Sequence, residues 1–239
     1  MVLSGYTSMA GHRAPTRRAA GRPNQKGMCL YPMKKFALLL VLGLLSPFSA
    51  HAAFKKNRDY LRLFPSQPVT TGHRIEVREF FWYGCPHCFH LEPVLNAWLK
   101  HKPAYVAFVR TPAVLRRSWE PQARAYYTFQ ALGVVNRLHD LFFNAIHIKN
   151  ENLTNENLIA KWAARHGVNE QKFKATYRSF EVDSKLQNAL NLERAEGIDA
   201  VPTFVVEGRY LTNAGMAGGR KRMMRVVDFL IQKARKRAH

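Results

Sequence analysis

Residues 75–82 alternate, with Ile75, Val77, Glu79 and Phe81 on one side and Glu76, Arg78, Phe80 and Trp82 on the other. That is the period of a strand, and one so apolar on both sides is expected at the centre of a sheet. Gly84 ends it. Beyond it, Leu91, Val94, Leu95, Trp98 and Leu99 recur at helical spacing. The pattern predicts a helix from near residue 85 to about residue 101, kinked by the Pro93 inside it. Residues 105–109 read as a second strand. Strand, helix and strand at this length make a βαβ unit, which commits the chain to an α/β fold.

The following stretch has a different character. Five amphipathic helices are predicted over residues 121–132, 135–146, 155–166, 170–179 and 183–196, with Asn169 as an N-cap and Gly167 and Gly197 as stops. No strand pattern interrupts them. Strand character returns at 203–206, Glu207-Gly208 supplies a two-residue turn, and 209–211 answer it as a hairpin. A last helix is predicted over 220–236, with Met223, Val227, Leu230 and Ile231 on one face. Its terminal Lys233, Arg235 and Lys236 suit the negative end of the helix dipole. A small mixed sheet split by a block of helices accounts for every segment.

The 239 residues are 47% hydrophobic and 12% aromatic, so a packed core is available and global disorder is excluded. The N-terminus has its own logic. Met33-Lys34-Lys35 is a basic start, residues 36–48 are an apolar run, and Ala50-His51-Ala52 fits a small-x-small cleavage site. The apolar run is well short of the roughly 20 residues needed to span a bilayer, which favours a cleaved signal peptide over an anchor. Translation is expected to begin at Met33, because residues 1–32 carry no acidic residue and no periodicity. Arg17-Arg18 hints at a twin-arginine signal, but the apolar run begins too far downstream. Residues 1–52 are thus read as extension and signal peptide, with Ala53 as the mature start and the periplasm as the destination.

Export has two consequences. The compartment is oxidising, and of the three cysteines Cys29 is lost, leaving Cys85 and Cys88. The mature chain retains 30 basic against 16 acidic residues, a net charge of +14. Such charge suits nucleic acid or anionic lipid, but export argues against nucleic acid, and a solvated basic surface is the plainer reading.

Four readings compete for Cys85-Pro86-His87-Cys88. Structural zinc needs four ligands, and the chain has one cysteine pair and no second motif. A c-type haem needs histidine directly after the second cysteine, where Phe89 stands. A purely structural disulfide across two residues closes too small a loop to constrain much of the unfolded chain. A redox pair remains, and it has a physical basis. Cys85 leaves a strand and opens a helix, so free N–H groups and the positive end of a dipole face its sulfur. Pro86 fits the first helical turn, where its missing N–H costs nothing. His87 adds positive charge or a donor beside Cys85. Cys88, one turn deeper, is expected to be the buried resolving thiol. A stabilised thiolate favours the reduced pair, which makes the disulfide an oxidant.

On Glu79-Phe80-Phe81, Cys85-Pro86-His87-Cys88, Val201-Pro202-Thr203 and Gly215-x-x-Gly218-Gly219, the chain resembles the DsbA family of periplasmic thiol–disulfide oxidoreductases. The resemblance runs from about Tyr60 to the C-terminus. It implies a thioredoxin-like fold, here residues 53–112 and 197–239, with an inserted all-helical domain over 113–196. It also implies a cis bond before Pro202, with the Val201 backbone free to pair with an extended substrate segment. Glu79, on the inner face of the first strand, is expected to be buried, with its pKa raised, and to exchange protons as Cys88 changes state. In the family that acid pairs with a lysine on the next strand. Pro103 falls near that place here, with Lys102 one residue earlier, so the partner of Glu79 is in doubt.

The resemblance further implies an oxidase for the thiols of reduced exported polypeptides. It would be re-oxidised by a quinone-linked membrane protein resembling DsbB, act as a monomer, and need no metal or organic cofactor. The rivals are a disulfide isomerase or reductase and a non-catalytic chaperone-like module on the same fold. About twenty residues separate Ala53 from the first strand, too few for the dimerisation domain that exported isomerases carry. Trp82, Tyr83 and Phe89 are read as docking surface or core, Met216 and 215–219 as shaping the active face or as a mere loop, and His90, His139 and His147 as ordinary helix residues.

Overall fold

The computed structural model describes residues 54–238. The Met33 start, the apolar run, the cleavage site after Ala52, Arg17-Arg18 and Cys29 lie outside the described residues.

Five strands form one mixed sheet in the order β1-β5-β4-β2-β3. The central strand β2 (Ile75–Phe81) is buried along its whole length, as its two apolar faces require. It pairs in parallel with β3 (Val106–Pro112) and antiparallel with β4 (Thr203–Val206). Strand β5 (Tyr210–Asn213) pairs with β4, and the short edge strand β1 (Leu61–Arg62), for which the sequence carries no signal, pairs with β5. The expected second strand stops at residue 109, whereas β3 continues to Pro112. Arg110 and Thr111 look like an exit from the sheet. Instead their polar groups find buried partners on β2, where Arg78 donates to the Thr111 hydroxyl at 3.0 Å.

The turn between β4 and β5 takes three residues, Glu207, Gly208 and Arg209, one more than the two-residue turn expected, because Val206 pairs with Tyr210; Glu207 and Gly208 have φ of +55° and +56°. Positive φ at these two positions is what turns the chain back toward β4. Gly208 is needed there twice over, because a β-carbon would also lie 2.1 Å from the Gln67 carbonyl oxygen.

The single kinked helix expected after the cysteines is two helices, α1 (Pro86–Phe89) and α2 (Glu92–His101). His90 and Leu91 form the break, and Pro93 falls in the first turn of α2, where it disrupts no bond. After β3, a 3₁₀ turn at Arg117–Trp119 leads into α3 (Glu120–Ala131), α4 (Val135–His147), α5 (Glu156–Arg165), α6 (Glu170–Tyr177) and α7 (Phe180–Ala195). Asn155 and Asn169 cap α5 and α6 by accepting from Leu158 and Lys172 N–H. Ser179, expected to end α6, instead caps α7 by accepting from Val182 N–H, so α7 begins three residues earlier than expected. Gly167 and Gly197 take the positive φ of helix stops. The short α8 (Ala214–Ala217) occupies most of the stretch expected to be loop, and α9 (Arg220–Ala238) closes the chain.

Helices α2 and α9 cover one sheet face, burying Val77, Leu95, Phe204, Val206, Val227 and Leu230. Phe80, Val205 and Leu211 on the other face pack against Ile198 and Leu192. The inserted helices have their own core, built on aromatic rings such as Phe142 against Trp162 at 4.9 Å and 82°. Phe81, the last residue of β2, belongs to that second core. The end of the central strand is therefore where the two cores meet, and this positions everything that follows.

Gly208→Ala is expected to destabilise the protein by at least about 1–2 kcal/mol from the left-handed backbone alone, with the overlap on Gln67 added. A urea midpoint equal to wild type would show that the hairpin turn is not as described.

Candidate functional site

The chain leaves β2 through Trp82, Tyr83 and Gly84. Trp82 stacks flat on Trp119, at 4.1 Å and 4°. A β-carbon on residue 84 would lie 2.2 Å from the Trp82 ring, so only glycine lets the turn close over the indole. The turn delivers Cys85 as the N-cap of α1 in extended geometry, with Pro86 in the first helical turn. Both thiols are unbonded. Cys85 is 7% exposed and Cys88 fully buried.

Their environments push the two thiols apart. Cys85 is lowered from 9.0 to about 6, first by a hydrogen bond from the Cys88 thiol, against burial, and then by the backbone N–H groups of Cys88 and His87 and the charge of the His87 ring. Cys88 is raised well above the ordinary thiol range by burial, then by its bond to Cys85 and by the charges of Cys85 and Glu79. The macrodipole of a long helix, expected from the sequence, is not what lowers Cys85. Helix α1 has four residues, and local N–H groups with the second thiol do the work.

Val201 and Pro202 stand across from the pair. Their peptide bond is cis, and the Cys85 thiol points to the Val201 carbonyl oxygen at 3.6 Å. Beside it, His87, Asp199, Ala200, Pro202, Asn213 and Gly215 line an open groove of about 610 Å³. Gly215, in α8, is the residue of the 215–219 stretch that lines this groove, while Gly218 and Gly219 border another cleft beside His90.

Glu79 lies fully buried beneath the cysteines. Its carboxyl is pushed up to about 8 by burial, with Arg110 opposing and Glu92 adding to the rise. Its partner is Arg110, directly opposite on β3, with Nε 3.2 Å from Glu79 Oε2. Lys102 is no candidate, because its ammonium donates to the Val106 carbonyl at 2.7 Å. Arg110 also donates from Nη2 to Glu92 Oε2 at 2.8 Å. Glu92 Oε1 stands 3.4 Å from His139 Nε2, and His139 Nδ1 lies 2.9 Å from the Tyr83 hydroxyl. Burial raises the Glu92 carboxyl, but His139 and Arg110 outweigh it and hold the group below its usual range.

Two histidines read as ordinary are thus built into the site's wall. His139 meets the Tyr83 side chain. His147, two turns along α4, has Nε2 2.7 Å from the Tyr83 carbonyl and stacks on Phe89 at 4.8 Å and 15°. Their shared spacing with Phe143 on one face of α4 was the available signal. His90, exposed, has Nδ1 2.6 Å from the Pro86 carbonyl four residues back and remains ordinary. Trp82, Tyr83 and Phe89 all pack on the inserted core.

The site brings Cys85, Pro86, His87, Cys88, Glu79, Val201 and Pro202 together, and adds Arg110, Glu92, His139 and Tyr83. Among the described residues no helix is long and apolar enough to cross a membrane.

The DSBA-like thioredoxin domain family matches residues 76–230. The thiol:disulfide interchange protein DsbA of Pseudomonas aeruginosa is 35% identical over 206 residues, covering 85% of this chain and 98% of that protein. The protein of the same name from Azotobacter vinelandii is 37% identical over 197 residues, covering 82% and 92%. The crystal structure of Pseudomonas aeruginosa DsbA superposes with a TM-score of 0.74 at 36% identity, covering 77% of this chain and 96% of that one. That of oxidoreductase DsbA from Xylella fastidiosa gives 0.70 at 34%, covering 76% and 96%. A thioredoxin-type sheet carrying inserted helices, a cysteine pair of split acidity and this level of identity agree: the chain belongs to the DsbA family of thiol:disulfide oxidoreductases.

Proposed function

We propose that Cys85 and Cys88 carry the disulfide that this oxidoreductase donates to reduced exported polypeptides in the periplasm, with Cys85 as the attacked sulfur. The observation that carries the reading is the opposite displacement of the two thiols, Cys85 down to about 6 and Cys88 well up. A client thiolate attacks Cys85 Sγ, forming a mixed disulfide and expelling the Cys88 sulfur. Cys88 is a poor resting place for charge and takes a proton, and buried Glu79, protonated at neutral pH, is placed to supply it. A second client thiolate then attacks the client sulfur of the mixed disulfide. Cys85 leaves as its stable thiolate, and the client has lost two electrons to the protein. Pro86 presets the first turn of α1, and His87 adds charge beside the leaving sulfur.

The Val201 backbone and Pro202 border the groove in which an extended client segment fits, with the chain acting as a monomer. Restoring the disulfide needs an electron acceptor, and the family supplies a quinone-linked membrane partner resembling DsbB. The relatives that match nearly end to end carry the name of an interchange protein, which favours donation over isomerisation or a purely chaperone role.

Two measurements test this. Because the folded pKa of Cys85 is depressed, its thiolate stabilises the reduced fold above the unfolded value near 9.0, and that gain is lost as pH falls through about 6. The Tm of the reduced protein minus that of the oxidised protein should therefore grow between pH 6 and 9. A flat difference would mean an unactivated Cys85. Glu79→Gln removes a charge that raises Cys88, so it should lower the Cys88 titration seen by thiolate absorbance. It should also slow oxidation of a reduced peptide, by up to about 100-fold if Glu79 delivers the proton. An unchanged Cys88 titration and rate would remove Glu79 from the mechanism.

A further inference from the structure

The seam between α2 and α4, in the wall of the thiol site, holds two polar atoms to which thiol exchange gives no direct part. Glu92 and His139 are 6% and 4% exposed, yet Glu92 Oε1 and His139 Nε2 make no hydrogen bond to each other or to any other group. They stand 3.4 Å apart. Two ligand atoms about 2.0 Å from one tetrahedral zinc ion are separated by about 3.3 Å, so the pair is spaced as an edge of such a site. Asp140, the neighbour of His139 and exposed, brings a carboxylate oxygen within 4.8 Å of both. Its other approach is steadied by Asn96, whose Nδ2 lies 3.4 Å from Asp140 Oδ2. Glu92 and Asp140 line a cleft of about 290 Å³ with Phe89, His90, Asn96 and Phe143, which gives the cluster a path to solvent.

Charge points the same way. Glu92 and Asp140 are two carboxylates, and Arg110 is the cation bonded to Glu92. Arg110 offsets one of them, so these groups leave one carboxylate charge at the seam of a chain whose net charge is +21. The guanidinium bonds Glu92 Oε2 and leaves Oε1 turned toward His139. The Tyr83 hydroxyl 2.9 Å from His139 Nδ1 fixes the ring's orientation, as ligating histidines require, and the tautomer with its proton on Nδ1 would turn the Nε2 lone pair toward the same point.

We propose that Glu92, His139 and Asp140 form a zinc site, with a water or the Asn96 carboxamide oxygen completing the tetrahedron. An imidazole nitrogen with two carboxylates is a set that zinc accepts, whereas calcium and magnesium prefer oxygen throughout. The ion clamps α2 to α4 next to Phe89, on the outer side of the cysteine pair, and stiffens the seam on which the redox helix rests. The rival occupant is a buried water held by the same two unpartnered atoms.

The test uses the protein with its Cys85–Cys88 disulfide formed, so that no thiolate can take the metal. Titration with zinc chloride, followed by calorimetry and by equilibrium dialysis, should show one ion bound and a raised Tm. Asp140→Asn and Glu92→Gln should each weaken binding by on the order of 10-fold or more, at least what loss of a residue behind the ligands costs. Asp140 is exposed, so its variant keeps the fold, and the His139 ring nitrogen shifts in NMR report the ligand directly in the wild type. Absence of stoichiometric binding would leave the seam to water and overturn the site. So would wild-type affinity in either variant, or His139 shifts unmoved by zinc, since the metal would then sit on surface histidines.

Discussion

Cys85 and Cys88 are one helical turn apart, and the space between their sulfurs holds one negative charge comfortably. The Cys88 thiol donates to the Cys85 sulfur, so each thiol sets the other's acidity: the bond that steadies the Cys85 thiolate is a bond that Cys88 loses if it ionises. Burial then breaks the symmetry. Cys88 lies wholly inside, while Cys85 sits at the mouth of the turn with backbone N–H groups and His87 beside it. The direction of electron flow follows from this inequality. A disulfide joining an eager leaving group to a reluctant one opens when a client attacks the outer sulfur, and it re-forms only with an external oxidant.

That inequality needs a rigid frame, and the inserted helices supply much of it. Tyr83, two residues before Cys85, is held at both ends by α4, its hydroxyl by His139 and its carbonyl by His147. Phe81 edges into Tyr126 and Phe143, and Phe89 stacks on His147. The cysteine turn is thus suspended between two cores. On the sheet side, Gly84 closes over the Trp82–Trp119 stack. Loosening either core would let water reach Cys88 and narrow the gap between the thiols.

The fold was legible where one residue type has one physical use. The two-sided apolar strand, the Glu207-Gly208 turn, the Asn169 cap and the glycine stops could each be read from local chemistry alone. The Cys-Pro-His-Cys motif was legible for the same reason. What escaped the sequence depends on partners distant along the chain. Arg110 looks like the end of a strand until its register opposite Glu79 is known. His139 and His147 look like polar residues on an amphipathic helix until the partner of that face proves to be Tyr83. The break at His90-Leu91 carries no glycine or proline of its own, and Pro93 is as natural in the first turn of a new helix as in the kink of an old one. Ser179 reads as the end of α6 although it caps α7, because serine closes one element and opens the next with equal ease.

Arginine at residue 110 also decides which acid keeps a proton. A lysine in the same place would offer one point of charge to whichever carboxylate lay closer. The guanidinium offers a fork, and its two arms are not equally used. Nη2 makes a 2.8 Å bond to Glu92, whereas Nε sits 3.2 Å from Glu79 without the alignment of a hydrogen bond. Glu92 gains the ion pair and is held ionised. Glu79, fully buried and facing the charge of Glu92, is left with the cheaper option of staying protonated, at about 8. Two carboxylates around one cation therefore divide into a fixed anion and a protonated acid, and the acid is the one whose charge would raise Cys88.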